Sequence, residues 1–147
     1  MIAEYIFYHG ALLHELTLNH GGAVTIEPRD NHGRPNTFIL NSKVGVYIKH
    51  STKRLSPWTY TFTKEHLSEV QALCEYVSTV YTCFICGDDG IGCVPIEGII
   101  SILGPAESDQ AWIRFERRSN KMYRVSGANG ELPNKLARGV DAITNSL

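Results

Sequence analysis

The chain has 147 residues, which suits a single domain with its own hydrophobic core. Its hydrophobic and charged fractions, 43% and 20%, are typical of a globular protein, and 14 basic against 15 acidic residues give a formal net charge of -1. This near-neutral total excludes nucleic-acid binding through bulk charge, so a role of that kind requires locally clustered basic residues.

The sequence gives no indication of a membrane partner. No apolar run reaches the roughly 18 to 20 residues that a membrane-spanning helix requires. The first residues place an acid early, at Glu4, and lack the basic region of a signal peptide. We therefore expect a cytoplasmic protein.

The first predicted element is a short amphipathic helix over residues 5–19. Apolar residues recur there at helical spacing, and Gly21 and Gly22 are expected to end the helix. Glu15 lies at the margin of the apolar face, where its carboxylate either faces a cleft or remains solvated. A first strand is expected over residues 23–27, followed by a turn-rich loop.

The next stretch predicts a β-hairpin. Two β-branched and aromatic runs, residues 37–40 and 44–49, flank a short polar break. The period of two in the second run places Tyr47 and Lys49 on one face and the aliphatic side chains on the other. A lysine in the middle of such a strand must reach water or meet a negative partner. Lys49 is therefore the residue whose environment most needs an explanation.

Residues 58–86 predict a strand, a helix and a second strand. Aromatic residues alternate with threonine over residues 58–62, which is an extended pattern, and Thr63 is a suitable N-cap for the helix that follows. Apolar residues from Leu67 to Val77 continue this helix at 3.6-residue spacing. The almost uninterrupted apolar run at residues 79–86 is typical of a strand that is covered on both faces.

The C-terminal part predicts further elements and a less ordered tail. A hairpin strand, a helix and a pair of strands are expected at residues 91–94, 95–103, 111–115 and 121–125. The tail after Gly127 is expected to be irregular or loosely packed. The order of elements predicts a single α/β domain with a mixed central sheet flanked by helices. Its core spans about residues 8–103, and the strand pair and tail occupy residues 111–147.

Three of the four cysteines raise the question of a zinc site. Cys83 and Cys86 have the spacing of a zinc knuckle, and Cys93 follows seven residues later. The first two lie in a predicted strand, however, where residues three apart point to opposite faces. We therefore expect these thiols to pack as small hydrophobic groups and not to bind zinc.

The order of helix, three-stranded meander, helix and strand resembles the αβββαβ core of the PD-(D/E)XK nuclease-like superfamily, the restriction-endonuclease-like fold. The resemblance covers roughly residues 8–86. In this superfamily an acid on the first helix, an acid after a proline on the second strand, and an acid-x-Lys motif on the third strand bind divalent metals. Glu15 would stand for the helix acid, Pro35-Asn36 for the Pro-Asp pair, and Tyr47-Ile48-Lys49 for the acid-x-Lys motif.

This resemblance implies a divalent-metal site with an altered set of ligands. Glu15 and Asn36 would hold Mg²⁺ or Mn²⁺, and Lys49 would orient water or offset charge that develops on a phosphate. Asn36 and Tyr47 are neutral where the superfamily has acids, and the loss of two negative charges weakens metal binding. Asp30, in the preceding loop, is a candidate substitute. The implied site is therefore degenerate, and it would act as a metal-dependent nuclease only if it still binds a metal ion.

The residues after Lys49 are suited to phosphate contacts. Ser51, Lys53 and Arg54 form a cationic rim with a hydroxyl group, and Trp58 either stacks on a base or anchors its strand in the core. The core role of Trp58 is favoured, because large aromatic side chains mainly supply buried area. A second basic strip follows at residues 114–118, where a solvated strand edge is an equal alternative.

We expect a nuclease-like protein that binds DNA or RNA through Lys49 and the basic residues beside it. The alternative is a non-enzymatic protein-interaction or structural domain, including a homodimer, in which Lys49 pairs with Glu15. These two classes differ in the salt dependence of nucleic-acid binding, which is steep when several phosphates are contacted.

Overall fold

The computed structural model describes residues 1–29, 36–103 and 111–147. The helices in this part of the chain are α1 Glu4–His20, α2 Lys64–Tyr76, α3 Ile96–Leu103 and α4 Asp141–Thr144. The strands are β1 Ile26–Arg29, β2 Thr37–Leu40, β3 Val44–Ser51, β4 Trp58–Phe62, β5 Thr79–Cys86, β6 Gly90–Pro95, β7 Ala111–Glu116, β8 Arg124–Gly127 and β9 Gly130–Glu131. None of the described helices has the length and apolar character needed to cross a membrane.

The strands form two sheets. The first has the order β1-β2-β3-β5-β6, in which β3 and β5 are parallel and the other neighbours are antiparallel. The second is antiparallel, with the order β4-β7-β8-β9. The predicted α/β class with a mixed sheet is therefore confirmed, and the second sheet is an addition to that prediction.

The β2–β3 hairpin forms where the sequence predicts it. Leu40 is opposite Val44, and Asn41 and Ser42 adopt positive φ angles of 50° and 54° in the turn. The two faces of β3 are divided as expected. Val44, Val46 and Ile48 pack in the cluster that includes the α1 leucines, whereas Tyr47 packs in the cluster that includes α2. The strand at the centre of the first sheet thus contributes to both core clusters.

The second sheet packs its aromatic face against β5. Trp58, Tyr60 and Phe62 are buried along β4, and the ring centroids of Tyr60 and Phe84 are 4.8 Å apart. Phe115 of β7 lies at the same distance from Phe84. The C-terminal strands therefore belong to the larger core cluster, although the sequence places them outside the core.

The C-terminal tail is irregular and mostly exposed over residues 132–139, as the sequence predicts, but its last part is docked. Val140 and Ile143 are buried in the cluster that includes the α1 leucines. The side-chain amide of Asn19 donates hydrogen bonds to Asp141 Oδ1 and Thr144 Oγ1, at 2.7 and 2.8 Å. The tail is therefore held at α4, where two apolar residues in a polar stretch dock one short helix.

Cys83, Cys86 and Cys93 are buried on the two faces of the first sheet, whereas Cys74 is exposed on α2. Cys83 packs in the α1 cluster with its Sγ atom 3.6 Å from that of Cys93, whereas Cys86 packs in the other cluster. All of these thiols are free cysteines. Cys83 and Cys86 therefore face opposite sides, as the strand periodicity predicts.

Gly87 offers a test of the close contact between the β5–β6 turn and the segment after β3. Its φ is +55°, its N–H donates to the carbonyl of Ser51, and an added Cβ would collide with the carbonyl oxygen of Lys53. Gly21 also has a positive φ, +71°, but its Cβ would meet no atom within 4 Å. We expect Gly87→Ala to lower the free energy of unfolding by about 1 to 3 kcal/mol more than the control Gly21→Ala. Urea denaturation measures both values, and equal losses would contradict the close contact.

Candidate functional site

A polar cavity of about 440 Å³ opens beside the C-terminal half of β3. Its lining includes Asn36, Tyr47 and Lys49 from the strand region, His9 from α1, and His66 and Glu69 from α2. We call this cavity the Lys49 pocket. It brings together side chains from three separate parts of the chain.

The ammonium group of Lys49 is held by neutral acceptors. Its Nζ atom donates to the carbonyl oxygen of Thr61 at 2.7 Å and lies 3.2 Å from Nδ1 of His66. The same atom is 4.8 Å from the centroid of the Phe62 ring. These contacts provide hydrogen bonds but no negative charge. They use two of the three N–H groups of the ammonium.

His66 links Lys49 to the start of α2. Its backbone N–H donates to Oγ1 of Thr63, and its Nδ1 atom accepts from the backbone N–H of Thr63, which completes a capping box. Burial and the neighbouring Lys49 ammonium lower the pKa of His66. Because the backbone N–H of Thr63 donates to it, Nδ1 acts as an acceptor whose position is fixed by the helix cap.

The surroundings of Lys49 favour loss of its proton. Burial lowers the pKa of this ammonium to about 8, and the carboxylate of Glu69 opposes the shift in part. Desolvation therefore exceeds the stabilisation that the nearest acid provides. Lys49 remains mostly charged at neutral pH but titrates just above it.

Tyr47 and Asn36 occupy the two strand positions where the resemblance implies acids. The hydroxyl of Tyr47 donates to Oε2 of Glu69 at 2.9 Å, and burial together with this hydrogen bond raises the pKa of the phenol. The backbone of Asn36 accepts from the N–H of Ile48 at 2.9 Å. Its Oδ1 atom is buried and has no hydrogen-bond partner in the described part of the chain.

The pocket unites some of the predicted site residues and separates others. Asn36 and Lys49 line it together, whereas Glu15 is exposed on α1 and is not among the lining residues. The pair between Lys49 and Glu15 that the alternative function included does not form, because Lys49 bonds to Thr61 and His66 instead. Pro35 and Asp30 lie outside the described residues.

The residues present do not fit the divalent metal that the resemblance implies. Asn36 and Tyr47 are neutral, and Glu15 is not at the pocket. Two carboxylates, Glu65 and Glu69, line it, and Glu69 already accepts the hydroxyl of Tyr47. Among residues 1–29, 36–103 and 111–147, no group of three histidine, cysteine, aspartate or glutamate side chains is placed to hold a metal ion. Mg²⁺ requires several hard, charged oxygen ligands, and this part of the structure does not supply them.

The loop after β3 presents basic side chains on an ordered backbone. Lys53 and Arg54 are exposed, the N–H of Lys53 donates to Oγ of Ser51, and the Nζ atom of Lys53 donates to the carbonyl of Pro57. Trp58 is buried and its Nε1–H donates to the carbonyl of Lys53 at 2.8 Å. Trp58 therefore anchors the loop and is not exposed for stacking on a base.

The site that the sequence predicts does not include His9, Glu65, His66 and Glu69, which line the pocket. His9 is one of the buried residues of α1, together with Leu12 and Leu16, so helical spacing places it on the inner face. His66 is identifiable as part of the helix cap, and Glu69 follows one turn later. The sequence alone does not indicate that these side chains share a cavity with Lys49.

The depressed pKa of Lys49 predicts how stability changes with pH. Between about pH 8 and 10.5 the unfolded chain holds a proton that the native state has released, so the free energy of unfolding attributable to Lys49 rises with pH. Across this window the free energy of unfolding of the native protein should rise by up to about 3 kcal/mol relative to that of Lys49→Met. Urea denaturation of both proteins from about pH 7.5 to 10 provides the measurement. The other titrating groups are common to both proteins, so their contributions cancel when one free energy of unfolding is subtracted from the other. Parallel stability profiles would contradict the burial of a titrating ammonium.

Comparisons with known proteins do not assign this pocket. No family model matches the chain, and no curated protein and no solved structure has a significant similarity to it. The function must therefore be inferred from the pocket and from the charged surfaces around it.

Proposed function

We propose that this protein binds the phosphate backbone of nucleic acid through the Lys49 pocket and the basic loop that follows β3, without cleaving it. The observation that supports this proposal is the ammonium group of Lys49, whose hydrogen-bond acceptors are neutral. Its positive charge remains available to an incoming anion. Two residues later the chain enters the loop that exposes Lys53 and Arg54.

The architecture supports a nuclease-like ancestry for the site. α1, the β1–β2–β3 meander, α2 and β5, which is parallel to β3, follow the order on which the resemblance rests. β4 is inserted between β3 and α2 and belongs to the second sheet. Asn36, just before β2, and Lys49, near the end of β3, line one cavity, and this proximity supports the proposed resemblance.

The chemistry of the loop suits a phosphodiester. Phosphate oxygens are strong acceptors for lysine and arginine donors, and such contacts fix the position of a nucleic acid independently of its sequence. Hydrogen bonds from Trp58 and from Gly87 hold the loop backbone at Lys53 and Ser51. An ordered backbone reduces the conformational entropy that binding would otherwise cost.

The same residues argue against hydrolysis. A metal-dependent nuclease needs charged oxygen ligands to position the ion that activates water. Asn36 and Tyr47 supply neutral groups at the two strand positions, and the hydroxyl of Tyr47 occupies the carboxylate of Glu69. We therefore propose recognition of the backbone without cleavage.

Salt dependence tests the binding. Fluorescence anisotropy with a labelled single-stranded DNA and the matching duplex should give log K values that fall linearly with log salt concentration. Arg54→Ala should reduce the magnitude of this slope by about 0.7 to 0.9, because one phosphate contact is lost. Lys43→Ala is the matched control, because it removes one positive charge, which donates to the carbonyl oxygen of Leu147, just before the opposite end of β3. Its slope should equal that of the native protein.

Failure of the native protein to bind either DNA or a matching RNA at low salt would refute the proposal. That outcome would favour the protein-interaction class, for which Ile6, Phe7 and Leu18 of α1 provide exposed apolar side chains.

Manganese tests the absence of cleavage. Plasmid and single-stranded DNA incubated with the native protein and Mn²⁺ should remain intact, and a spectroscopic Mn²⁺ titration should detect no tight site. Asn36→Asp adds a carboxylate at the position of the superfamily acid and should bind Mn²⁺ more tightly than the native protein. Cleavage by the native protein that Lys49→Met abolishes would show that the site is a working nuclease centre.

A further inference from the structure

A second cavity, of about 500 Å³, lies beside the loop between β3 and β4. Positively charged side chains dominate its lining, which includes Ser56, Arg117, Arg118, Lys121, Arg124 and Lys135. These residues come from the β3–β4 loop, from the end of β7 with the turn before β8, and from the C-terminal tail. The concentration of cations is local, since the whole chain has a formal net charge of -1.

Arg117 forms the rigid base of this cavity. Its guanidinium donates to both carboxylate oxygens of Asp89, at 2.8 and 2.7 Å, and to the carbonyl of Lys121 at 3.1 Å. Its backbone N–H donates to Oγ of Ser56 at 3.0 Å. The hydroxyl of Tyr123 completes the arrangement by donating to Asp89 at 2.8 Å. One arginine thus joins the β5–β6 turn, the β7–β8 turn and the β3–β4 loop.

The charges of Arg117 and Arg124 are neutralised within the protein. Arg117 is paired with Asp89, and Arg124 is paired with Glu131 at 2.5 Å. The acid that lines the cavity, Glu116, lies 3.6 Å from Arg114. Among the described residues that line the cavity, no acid is therefore left to pair with the remaining basic side chains.

Three basic side chains are exposed and uncompensated. Arg118, Lys121 and Lys135 are exposed, and within the described residues their side chains form no hydrogen bond and no ion pair. We call these three residues the basic triad. Their positions are fixed by the backbone, because Lys121 N–H donates to the carbonyl of Arg118 in a tight turn, and Leu136 pairs with Tyr123 through two hydrogen bonds of 2.8 Å.

We infer that the basic triad is a second contact site for the phosphate backbone of the same bound nucleic acid. This inference rests on the proposed function and extends it across the surface. The β3–β4 loop connects the two sites, because it exposes Lys53 and Arg54 and then reaches the triad cavity at Ser56. A strand bound at the Lys49 pocket continues over this loop to the triad.

The distribution of the triad favours a polyanion over a single small anion. Two of its cations lie on the β7–β8 turn and the third lies on the tail, so they line a surface and do not converge on a single deep point. A nucleic-acid strand presents a regular row of phosphates that such a surface contacts at several places. The basic loop leads from the Lys49 pocket to the triad. We therefore assign the triad to the nucleic-acid strand proposed to bind that pocket and not to a separate acidic peptide.

The test uses the double variant Lys121→Ser/Lys135→Ser and the control Lys43→Ser. Both variants change exposed lysines, and circular dichroism with urea denaturation should show native folding. With the labelled single-stranded DNA and its duplex, the salt slope of the double variant should fall in magnitude by about 1.4 and 1.8, respectively, because two phosphate contacts are lost. The slope of the control should equal that of the native protein.

The possible outcomes separate the inference from the proposed function. If the native protein binds DNA and the double variant has the native slope, the triad assignment is overturned and the proposed function stands. If the native protein binds neither DNA nor RNA, the proposed function fails and the inference fails with it. If labelled polyglutamate binds the native protein as tightly as DNA and loses affinity equally in the double variant, the occupant is an acidic protein segment and the nucleic-acid assignment is overturned.

Discussion

The partly buried ammonium group of Lys49 needs hydrogen-bond acceptors, and these acceptors connect three elements of the fold. One acceptor is the carbonyl of Thr61 in β4, which belongs to the second sheet, and the other is the ring of His66 at the start of α2. Hydrogen bonds from a charged donor are stronger than neutral ones. A single side chain of the first sheet therefore contacts both the second sheet and the cap of α2, and the Lys49 pocket lies beside this junction.

Features with local causes are predictable from the sequence. The β2–β3 hairpin follows from two strand patterns around Asn41 and Ser42, and α2 begins at Thr63 because its hydroxyl caps the helix. The two-residue period of β3 correctly separates Tyr47 and Lys49 from the aliphatic residues. Each of these predictions depends on residues within one turn or one strand. There the local sequence determines the backbone conformation and the direction of the side chains.

Features that depend on distant contacts are not predictable in the same way. The alternating pattern of β4 indicates a strand but does not reveal that its partner is β7, and Glu69 meets Tyr47 only because α2 crosses that part of the sheet. Glu15 illustrates the limit of helical spacing. It is adjacent to the buried Leu16, yet one residue rotates a helix by about 100°, which is enough to turn its carboxylate away from the pocket.

The electrostatics of the Lys49 pocket follow from burial and from incomplete compensation by acids. Glu65 and Glu69 both line the pocket, and Glu69 also accepts the hydroxyl of Tyr47. Desolvation lowers the pKa of Lys49 to about 8, and the carboxylate of Glu69 opposes this shift only in part. The ammonium is thus less stable than it would be in water. Because Asn36 and Tyr47 add no charge, an anion that accepts a hydrogen bond directly from Nζ would supply stabilisation that the pocket lacks and would raise the pKa of Lys49.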